Sequence, residues 1–229
     1  MTNFTKWTRP VSRTMMRFAV FSALSCGIGY RADAEDGWQL LFNKKNLKNW
    51  QVVKQEPFVY HGKVQVTGGQ VRLGEGQPGT GIRYLKDVPR TNYELLVEAR
   101  REVGFDFFCG LTFPVGSNYC TFVAGGWDGD VTGLSNLDRR SAAENETTTS
   151  ISYETGRWYR FHLRVTPERI TVHMDEKKIV DAPLHGKEVG IRGTMQPLLP
   201  LGISSWYTQA GIRELRLRPL PEPKKASQK

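Results

Sequence analysis

The stretch WYRFHLRVTPERITVHMD, residues 158–175, decides the fold class. Apolar and polar side chains alternate with a period of two on either side of a Pro-Glu pair at 167–168, which predicts two antiparallel strands joined by a turn. The residues expected on the buried face are Tyr159, Phe161, Leu163, Val165, Ile170, Val172 and Met174. His162 and His173 are expected on the opposite face, where they would be cross-strand neighbours.

The same alternation recurs on both sides of this hairpin. YELLVEAR at 93–100 alternates with one exception, and KKIVDAPL at 177–184 reads as a short strand. FDFFCGLTF at 105–113 is joined to YCTFV at 119–123 by a turn-like PVGSN, and no window keeps a helical period over three turns. Because about a dozen short strands cannot bury their apolar faces in one open sheet, the sequence predicts an all-β, antiparallel two-sheet β-sandwich.

The N-terminus has the pattern of a signal peptide. Basic residues precede the apolar run FAVFSALSCGIGY, and Ala-Asp-Ala at 32–34 provides a small-x-small cleavage site. The basic residues are Lys6, Arg9, Arg13 and Arg17. We therefore expect residues 1–34 to be a signal peptide, residues 35–218 to form the sandwich domain, and residues 219–229, rich in Pro and Lys, to be a disordered tail.

Such a presequence predicts export to the periplasm or the extracellular space. A lipoprotein anchored through Cys26 is the alternative, and it is disfavoured because Ala23, rather than a larger aliphatic residue, lies three positions before it.

Export would leave Cys109 and Cys120 in an oxidising compartment. A disulfide between them and two buried free thiols both stay open, because the register of the two strands cannot be read from sequence.

Charge and motifs exclude several functional classes. The formal net charge is +9, but residues 35–218 contain 24 Lys and Arg against 21 Asp and Glu, too small a surplus for a nucleic-acid-binding stripe. GEGQPG at 74–79 fits a dinucleotide-binding pattern, yet it precedes a strand-like run instead of opening a helix. There is no G-x-S-x-G elbow, and the four histidines form no close-spaced pair for zinc.

Five segments carry a family resemblance. They are GWQLLFNKKNLKNWQV at 37–52, DFFCGLTFPVGSNYCTFVAGGW at 106–127, ENETT at 144–148, GRWYRFHLRVTPERITVHMD at 156–175 and AGIRELRLRPL at 210–220. In this order and spacing they resemble the 3-keto-disaccharide hydrolase-like domain of the 3-keto-glucoside lyase/hydratase family. The resemblance covers nearly all of the chain that follows the predicted signal peptide.

The resemblance implies a concanavalin A-like lectin/glucanase sandwich of the jelly-roll type, with carbohydrate at the concave face of one sheet. It also implies cleavage of glycosides oxidised to a ketone at carbon 3. The ketone acidifies the hydrogen on carbon 2, a base removes it, the group on carbon 1 leaves, and water adds back. Such a site needs a base, an acid near the leaving oxygen and an electrophile for the enolate. A sugar-oxidising oxidoreductase would be an implied partner; no metal ligands are assigned, and a divalent metal ion stays open as a cofactor.

The long polar segment at residues 125–149 is the expected location of the site, because a connection of this length usually has a function. Its carboxylates are near enough in sequence for two or three to converge, and an aspartate of the preceding strand would join them in a suitable register. The catalytic candidates are Asp106, Asp128, Asp138 and Glu144. The substrate-binding candidates are Trp127, Arg139, Asn145, Glu146 and Trp206, with the tryptophans as stacking platforms.

Several alternatives stay open. The polar segment would equally suit a solvated surface loop, and Asp128, Asp130 and Asp138 would suit calcium, although without the spacing of an EF-hand. Near Trp206 the family's pattern has a histidine that this chain lacks. A non-catalytic, lectin-like carbohydrate-binding module and a structural or interaction domain are therefore kept beside the enzyme, because the fold hosts all three.

Overall fold

The computed structural model describes Met1 and residues 37–221. The predicted signal peptide beyond Met1, with Cys26, and residues 222–229 of the predicted tail lie outside the described residues. Within residues 37–221, no helix is long and apolar enough to cross a membrane. This part of the chain forms fifteen strands and one short 3-10 helix, Gly193–Leu198. In chain order the strands are β1 (Gln39–Leu40), β2 (Trp50–Val52), β3 (Val64–Thr67), β4 (Gln70–Leu73), β5 (Gly79–Tyr84), β6 (Tyr93–Gly104), β7 (Cys109–Val115), β8 (Asn118–Gly126), β9 (Val131–Ser135), β10 (Thr149–Ser150), β11 (Tyr159–Val165), β12 (Arg169–Met174), β13 (Lys177–Pro183), β14 (Gly202–Trp206) and β15 (Thr208–Pro219).

The strands form two antiparallel sheets. The first sheet has eight strands in the order β13, β12, β11, β6, β15, β4 and β3, with β1 also paired to β15. The second sheet has seven strands in the order β10, β9, β8, β7, β14, β5 and β2. The all-β, two-sheet sandwich predicted from the alternation is therefore confirmed.

The core lies between the inner faces of the two sheets. Phe161 of the first sheet packs against Phe122 of the second, with ring centroids 5.2 Å apart. Burial of such rings removes large apolar areas from water, which is the main force that holds two sheets together. The residues predicted to face inward in β6 and β11 are all buried: Tyr93, Leu95, Val97, Ala99, Tyr159, Phe161, Leu163 and Val165.

The outer face of the first sheet carries the two predicted histidines. His162 and His173 are register partners in β11 and β12, and their ring centroids are 6.3 Å apart. The prediction that they meet across the hairpin is confirmed. They lie on a different sheet from the cavity described below.

The two cysteines are buried and free. Cys109 pairs in register with Ala124, and Cys120 pairs with Phe113, so the two lie four ladder positions apart. At about 3.4 Å per residue this separates their backbones by roughly 14 Å, well beyond the span of a disulfide. The structure therefore selects two buried thiols from the two alternatives. Burial raises the pKa of both thiols, that of Cys120 to about 12.

The expectation of one long polar connection between residues 125 and 149 is wrong. β8 continues to Gly126, a tight turn follows, and β9 pairs back antiparallel to β8. Residues 131–135, VTGLS, form this return strand; Leu134 joins the core between the sheets, and the buried Thr132 hydroxyl hydrogen-bonds to the Tyr153 hydroxyl. The connection proper is shortened to residues 136–148.

Candidate functional site

A cavity opens on the outer face of the second sheet. Its volume is ≈ 220 Å³. Ten residues line it: Asp106, Phe107, Thr121, Val123, Trp127, Ser135, Arg192, Thr194, Met195 and Trp206. They come from the segment before β7, from β8 and the turn after it, from the end of β9, from the 3-10 helix region, and from the end of β14.

A second apolar cluster builds the walls of the cavity. Phe107, Val123, Met195 and Leu198 belong to it, and Trp206 packs on it. The sheet beneath offers small residues: a Cβ at Gly110 would lie 2.7 Å from the Phe107 ring, closer than real Cβ contacts come. Glycine at this position therefore allows the ring to lie directly against the sheet.

Asp106 is the acidic residue of the cavity wall. It lies between β6 and β7 and is half-buried. Its Oδ1 accepts a hydrogen bond of 2.6 Å from the Phe107 N–H. Burial raises the pKa of Asp106, the backbone N–H groups of Phe107 and Trp127 oppose the rise, and the negative charge of Asp128 adds to it. The net pKa lies above the ordinary aspartate value, as is common for carboxylates that act as bases or acids.

A buried arginine fixes the segments around Asp106. Arg101 Nη2 donates to the carbonyl oxygens of Asp106 at 3.2 Å, Gly125 at 3.1 Å and Gly129 at 2.8 Å. These carbonyls belong to the connection before β7, to the end of β8 and to the turn that follows it. Arg101 therefore holds Asp106 and the Trp127 turn in one fixed arrangement.

Two tryptophans and one cation complete the cavity. Trp206 stacks on Phe107 with ring centroids 5.8 Å apart and planes at 23°. Trp127 stands at the mouth, 36% exposed, and the Arg192 guanidinium carbon lies 5.9 Å from the centroid of its ring. Trp127 and Asp128 both have positive φ, 46° and 70°, in the turn that Arg101 holds. Non-glycine residues in this region are uncommon and often occur at functional sites.

Three predicted residues lie in an exposed ion-pair group. Asp138 and Glu146 both pair with Lys187 Nζ, at 2.9 and 2.8 Å, and Arg139 Nε lies 2.9 Å from Glu188 Oε2. The hydrogen bonds from Lys187 lower the pKa of both carboxyl groups. None of these three side chains lines the cavity; they tie residues 136–148 to the segment at 187–188.

Glu144 and Asn145 have different surroundings. The exposed Glu144 carboxylate accepts a 2.6 Å hydrogen bond from Ser141 Oγ, which lowers its pKa, and the positive charge of Arg192 adds to that effect. Asn145 is buried. Its Nδ2 donates to the Leu134 and Ser141 carbonyls, both at 2.7 Å, and its Oδ1 accepts from Thr147. The Asn145 amide is thus occupied in closing the loop.

Sequence reasoning missed most of the lining. Phe107, Thr121, Val123, Ser135, Arg192, Thr194 and Met195 were not among its candidates. Only one signal was available, the alternation in β8, which predicts that Thr121 and Val123 face away from the core. Arg192 and Met195 lie in an irregular stretch far along the chain, so no local pattern points to them.

In the part of the chain that the structure describes, no three His, Cys, Asp or Glu side chains come together as a metal site would need. The calcium alternative therefore has no cluster among residues 37–221. Asp130, one of its three candidate ligands, instead accepts a hydrogen bond from Ser150. What the cavity offers chemically is one carboxylate of raised pKa, one cation, three hydroxyl groups and aromatic walls.

Comparison with known proteins places these features in a family and a fold. The model of the 3-keto-alpha-glucoside-1,2-lyase-like domain matches residues 37–218. No match was found among the curated proteins.

Several solved structures share the fold. The carbohydrate binding module CBM66 from Bacillus subtilis is 12% identical with a TM-score of 0.50, covering 76% of this chain and 97% of that chain. The Crh5 transglycosylase in complex with NAG is 11% identical with a TM-score of 0.55, covering 81% and 85%. The carbohydrate recognition domain of Emp46p is 14% identical with a TM-score of 0.52, covering 80% and 96%. At such identities the likeness shows the fold alone, one that carbohydrate-binding domains and carbohydrate-active enzymes share.

Proposed function

The chain belongs to the 3-keto-alpha-glucoside-1,2-lyase-like family, and from this premise we propose that it is an exported enzyme that cleaves 3-keto-glycosides by elimination and hydration. The oxidised sugar ring binds in the cavity on the outer face of the second sheet. One observation carries the proposal: the half-buried Asp106 carboxylate, with its raised pKa, shares an aromatic cavity with the Arg192 cation. A base beside an electrophile is the pair that proton abstraction next to a ketone requires.

In the first step Asp106 takes the proton from carbon 2, and the electron pair of the C–H bond forms the enolate of the C3 ketone. Arg192 stabilises the negative oxygen. The enolate then collapses, a double bond forms between carbons 1 and 2, and the bond from carbon 1 to the leaving oxygen breaks. The leaving oxygen takes a proton from protonated Asp106 or from water. Finally water adds hydroxide to carbon 1 and a proton to carbon 2, so the net reaction is hydrolysis.

The other candidates take supporting roles in this proposal. Asp128 raises the basicity of Asp106 through its negative charge. The charges of Glu144 and Arg192 attract each other, and Trp127 and Trp206 stack on the sugar ring. Asp138, Arg139, Asn145 and Glu146 hold the loop beside the cavity without touching the substrate.

The carboxylate arrangement favours elimination over ordinary glycoside hydrolysis. Ordinary glycosidases use a pair of carboxyl groups that flank the scissile bond. Among the described residues that line the cavity, Asp106 is the only carboxylate. A single carboxyl group suffices for elimination because the ketone makes the hydrogen on carbon 2 acidic, and the same carboxyl group, once protonated, can return a proton to the leaving oxygen.

The proposal includes two expectations that come from the chain as a whole. Export rests on the signal-peptide pattern of residues 1–34. A separate oxidoreductase has to supply the keto-sugar, because oxidation at carbon 3 must precede the elimination.

The test uses the mature protein, residues 35–229, with aryl 3-keto-glucosides and with the same glucosides unoxidised. We expect aryl release only from the keto substrates, because only they have an acidic hydrogen on carbon 2. Asp106→Asn should reduce the release rate by about 10²- to 10⁴-fold, the usual contribution of a general base. Each assay is run with a chelator and with added divalent metal ion, since a metal cofactor stays open.

Asp130→Asn is the matched control, because Asp130 is an exposed aspartate of the same β8–β9 turn that does not line the cavity. It should keep full activity. If the Asp106→Asn variant released the aryl group as fast as the wild type, Asp106 would not be the catalytic base. Absence of release together with saturable sugar binding that Trp127→Ala weakens would instead favour a lectin-like module. Absence of both would favour a structural or interaction domain.

A further inference from the structure

Two exposed aromatic rings stack on each other outside the cavity. Phe105 is 57% and Tyr207 38% exposed. Their ring planes are parallel within 9°, and their centroids are 5.9 Å apart. Large exposed rings cost free energy in water unless a ligand covers them, so a pair held parallel on the surface calls for an explanation. We call this pair the Phe105–Tyr207 platform.

The platform is continuous with the cavity. Tyr207 meets the Trp206 ring edge to face, with centroids 6.4 Å apart, and Trp206 stacks on Phe107. Trp206 and Phe107 both line the cavity, whereas the two platform rings do not. A row of four aromatic rings therefore leads from solvent to the cavity wall.

The backbone fixes the platform beside Asp106. Tyr207 has φ 41°, rare for a bulky residue, and its N–H donates to the Pro78 carbonyl at 2.7 Å. A Cβ at Gly104 would lie 2.4 Å from the Tyr207 carbonyl oxygen, so the two segments are in direct backbone contact. The Thr208 hydroxyl accepts from the Asp106 N–H at 3.0 Å and donates to the Asp106 carbonyl at 2.9 Å.

The size of the cavity sets where the leaving group must lie. Its ≈ 220 Å³ is below the roughly 300–1,000 Å³ of pockets that enclose drug-sized ligands, and so suits a single sugar ring. The leaving group is attached at carbon 1, next to the carbon from which Asp106 takes the proton. It therefore emerges close to Asp106, and Phe105 is the residue directly before Asp106.

Resting on the proposed function, the geometry points to a second subsite: the Phe105–Tyr207 platform binds the leaving group of the substrate. The ligand is a six-membered ring with an apolar face, either a second sugar unit or an aryl group. Such rings stack on aromatic side chains through their apolar faces. A leaving group without a ring gains nothing from the platform.

The experiment compares three 3-keto-glucosides whose leaving groups are methanol, a second glucose and an aryl alcohol. Tyr207→Asn removes the ring with a residue that tolerates positive φ, Tyr207→Phe keeps the ring, and Phe105→Ser removes the other ring. We expect KM for at least one ring-bearing substrate to rise about three- to tenfold in the Asn and Ser variants. The methyl substrate should be unaffected, and the Phe variant should resemble the wild type.

The three arms identify the ligand. A rise confined to the disaccharide assigns the subsite to a sugar unit, and a rise confined to the aryl substrate assigns it to an apolar aglycone. Unchanged KM for both ring-bearing substrates, or an equal rise for the methyl substrate, overturns the inference. The unfolding midpoint of each variant is measured, and conclusions are drawn from the variant that retains the wild-type value.

Failure of the proposed function would be distinguishable from failure of the platform. If the wild type releases nothing from any keto substrate, the affinities for unoxidised glucose and for unoxidised disaccharides are measured by calorimetry. Disaccharide binding that weakens in the Asn and Ser variants, with glucose binding unchanged, supports the platform without catalysis. If the wild type does not bind the disaccharide, or if the Asn and Ser variants bind it as tightly as the wild type, the inferred subsite is overturned.

Discussion

At the scale of single residues, the surroundings of a carboxylate matter more than its place in the sequence. Asp138 and Glu144 lie in exposed loops, where hydrogen bonds from Lys187 and Ser141 lower their pKa values. Asp106 lies against Phe107 and Trp127, where burial raises its pKa. A carboxylate of raised pKa binds protons more strongly, so Asp106 is the better base of the three once it is ionised.

The pH dependence of the reaction follows from this shift. Asp106 acts in its ionised form, so kcat/KM should fall as pH decreases through its raised pKa. The inflection is expected above the ordinary aspartate value of about 3.9. A pH–rate profile of aryl 3-keto-glucoside cleavage measures it.

The variant Asp128→Asn checks the electrostatic contribution of Asp128, which adds to the larger effect of burial on the pKa of Asp106. Its charge contributes to the raised pKa of Asp106, so its removal should move the inflection to lower pH while the folded structure is kept. An inflection at the same pH in the Asp128→Asn variant would contradict the role assigned to Asp128. An inflection at or below the ordinary aspartate value in the wild type would contradict Asp106 as the base.

At the scale of elements, ion pairs cover much of the outer face of the first sheet. Glu94, Glu98 and Glu102 lie along β6 at intervals of four residues, and each pairs with an arginine. Arg218 Nη2 lies 2.6 Å from Glu94 Oε2, and Arg213 Nε lies 2.6 Å from Glu98 Oε2. These carboxylates are therefore paired with other side chains of the protein.

Acid should weaken the ion pairs that the Glu94 carboxylate forms on this face. Burial raises the pKa of Glu94, but hydrogen bonds and charge from His162 and Arg218 outweigh it, so its net pKa lies below the ordinary value. A carboxyl group whose pKa is lower in the folded state stabilises the fold above its unfolded pKa, about 4.3, and this stabilisation is lost as pH falls through the folded pKa. Glu94→Gln should lower the free energy of unfolding by about 1–3 kcal/mol at pH 7.

Urea unfolding at pH 7 and at about pH 3 measures the effect. The difference between Glu94→Gln and wild type should shrink as pH falls, because the wild-type carboxylate is progressively protonated and loses the interactions that the glutamine also lacks. Glu75→Gln serves as the control, since Glu75 is exposed in the turn before β5. A difference that stays the same at both pH values would mean that packing, rather than ionisation, explains the contribution of Glu94.

At the scale of the whole molecule, the two outer faces of the sandwich differ in the size and charge of the side chains that cover them. The first sheet presents long charged side chains that pair with one another. The second presents small residues such as Gly110, over which Phe107 and the 3-10 helix region build the cavity. This difference in side-chain size explains why the cavity that contains Asp106 lies on the second sheet.

Because the two thiols are free, we can predict how a reductant affects the thermal stability of the whole molecule. The unfolding temperature of the mature protein should be unchanged by a thiol reductant, because Cys109 and Cys120 are not joined. A disulfide would contribute about 2–4 kcal/mol, so its reduction would lower the midpoint by roughly 5–10 °C. Thermal scans with and without reductant measure this, and two titratable thiols per unfolded mature chain are the second readout. A drop of several degrees would contradict the register of β7 and β8.

The architecture was largely readable from the sequence. The period-two alternation at 93–99 and 159–165 predicts which side chains are buried, and all of them are. This prediction succeeds because a strand places successive side chains on opposite faces, so the local sequence pattern indicates which side chains are buried. The order of the family's segments adds the family itself, which the match over residues 37–218 confirms.

The composition of the cavity was decided by the tertiary structure alone. The carboxylates of residues 128–146 are neighbours in sequence, yet the return strand β9 separates them and only the tertiary fold brings Asp106, Trp127, Arg192 and Trp206 together. Their juxtaposition depends on strand register and on the packing of the 3-10 helix region over the second sheet. Those are contacts between distant parts of the chain, and no local periodicity encodes them.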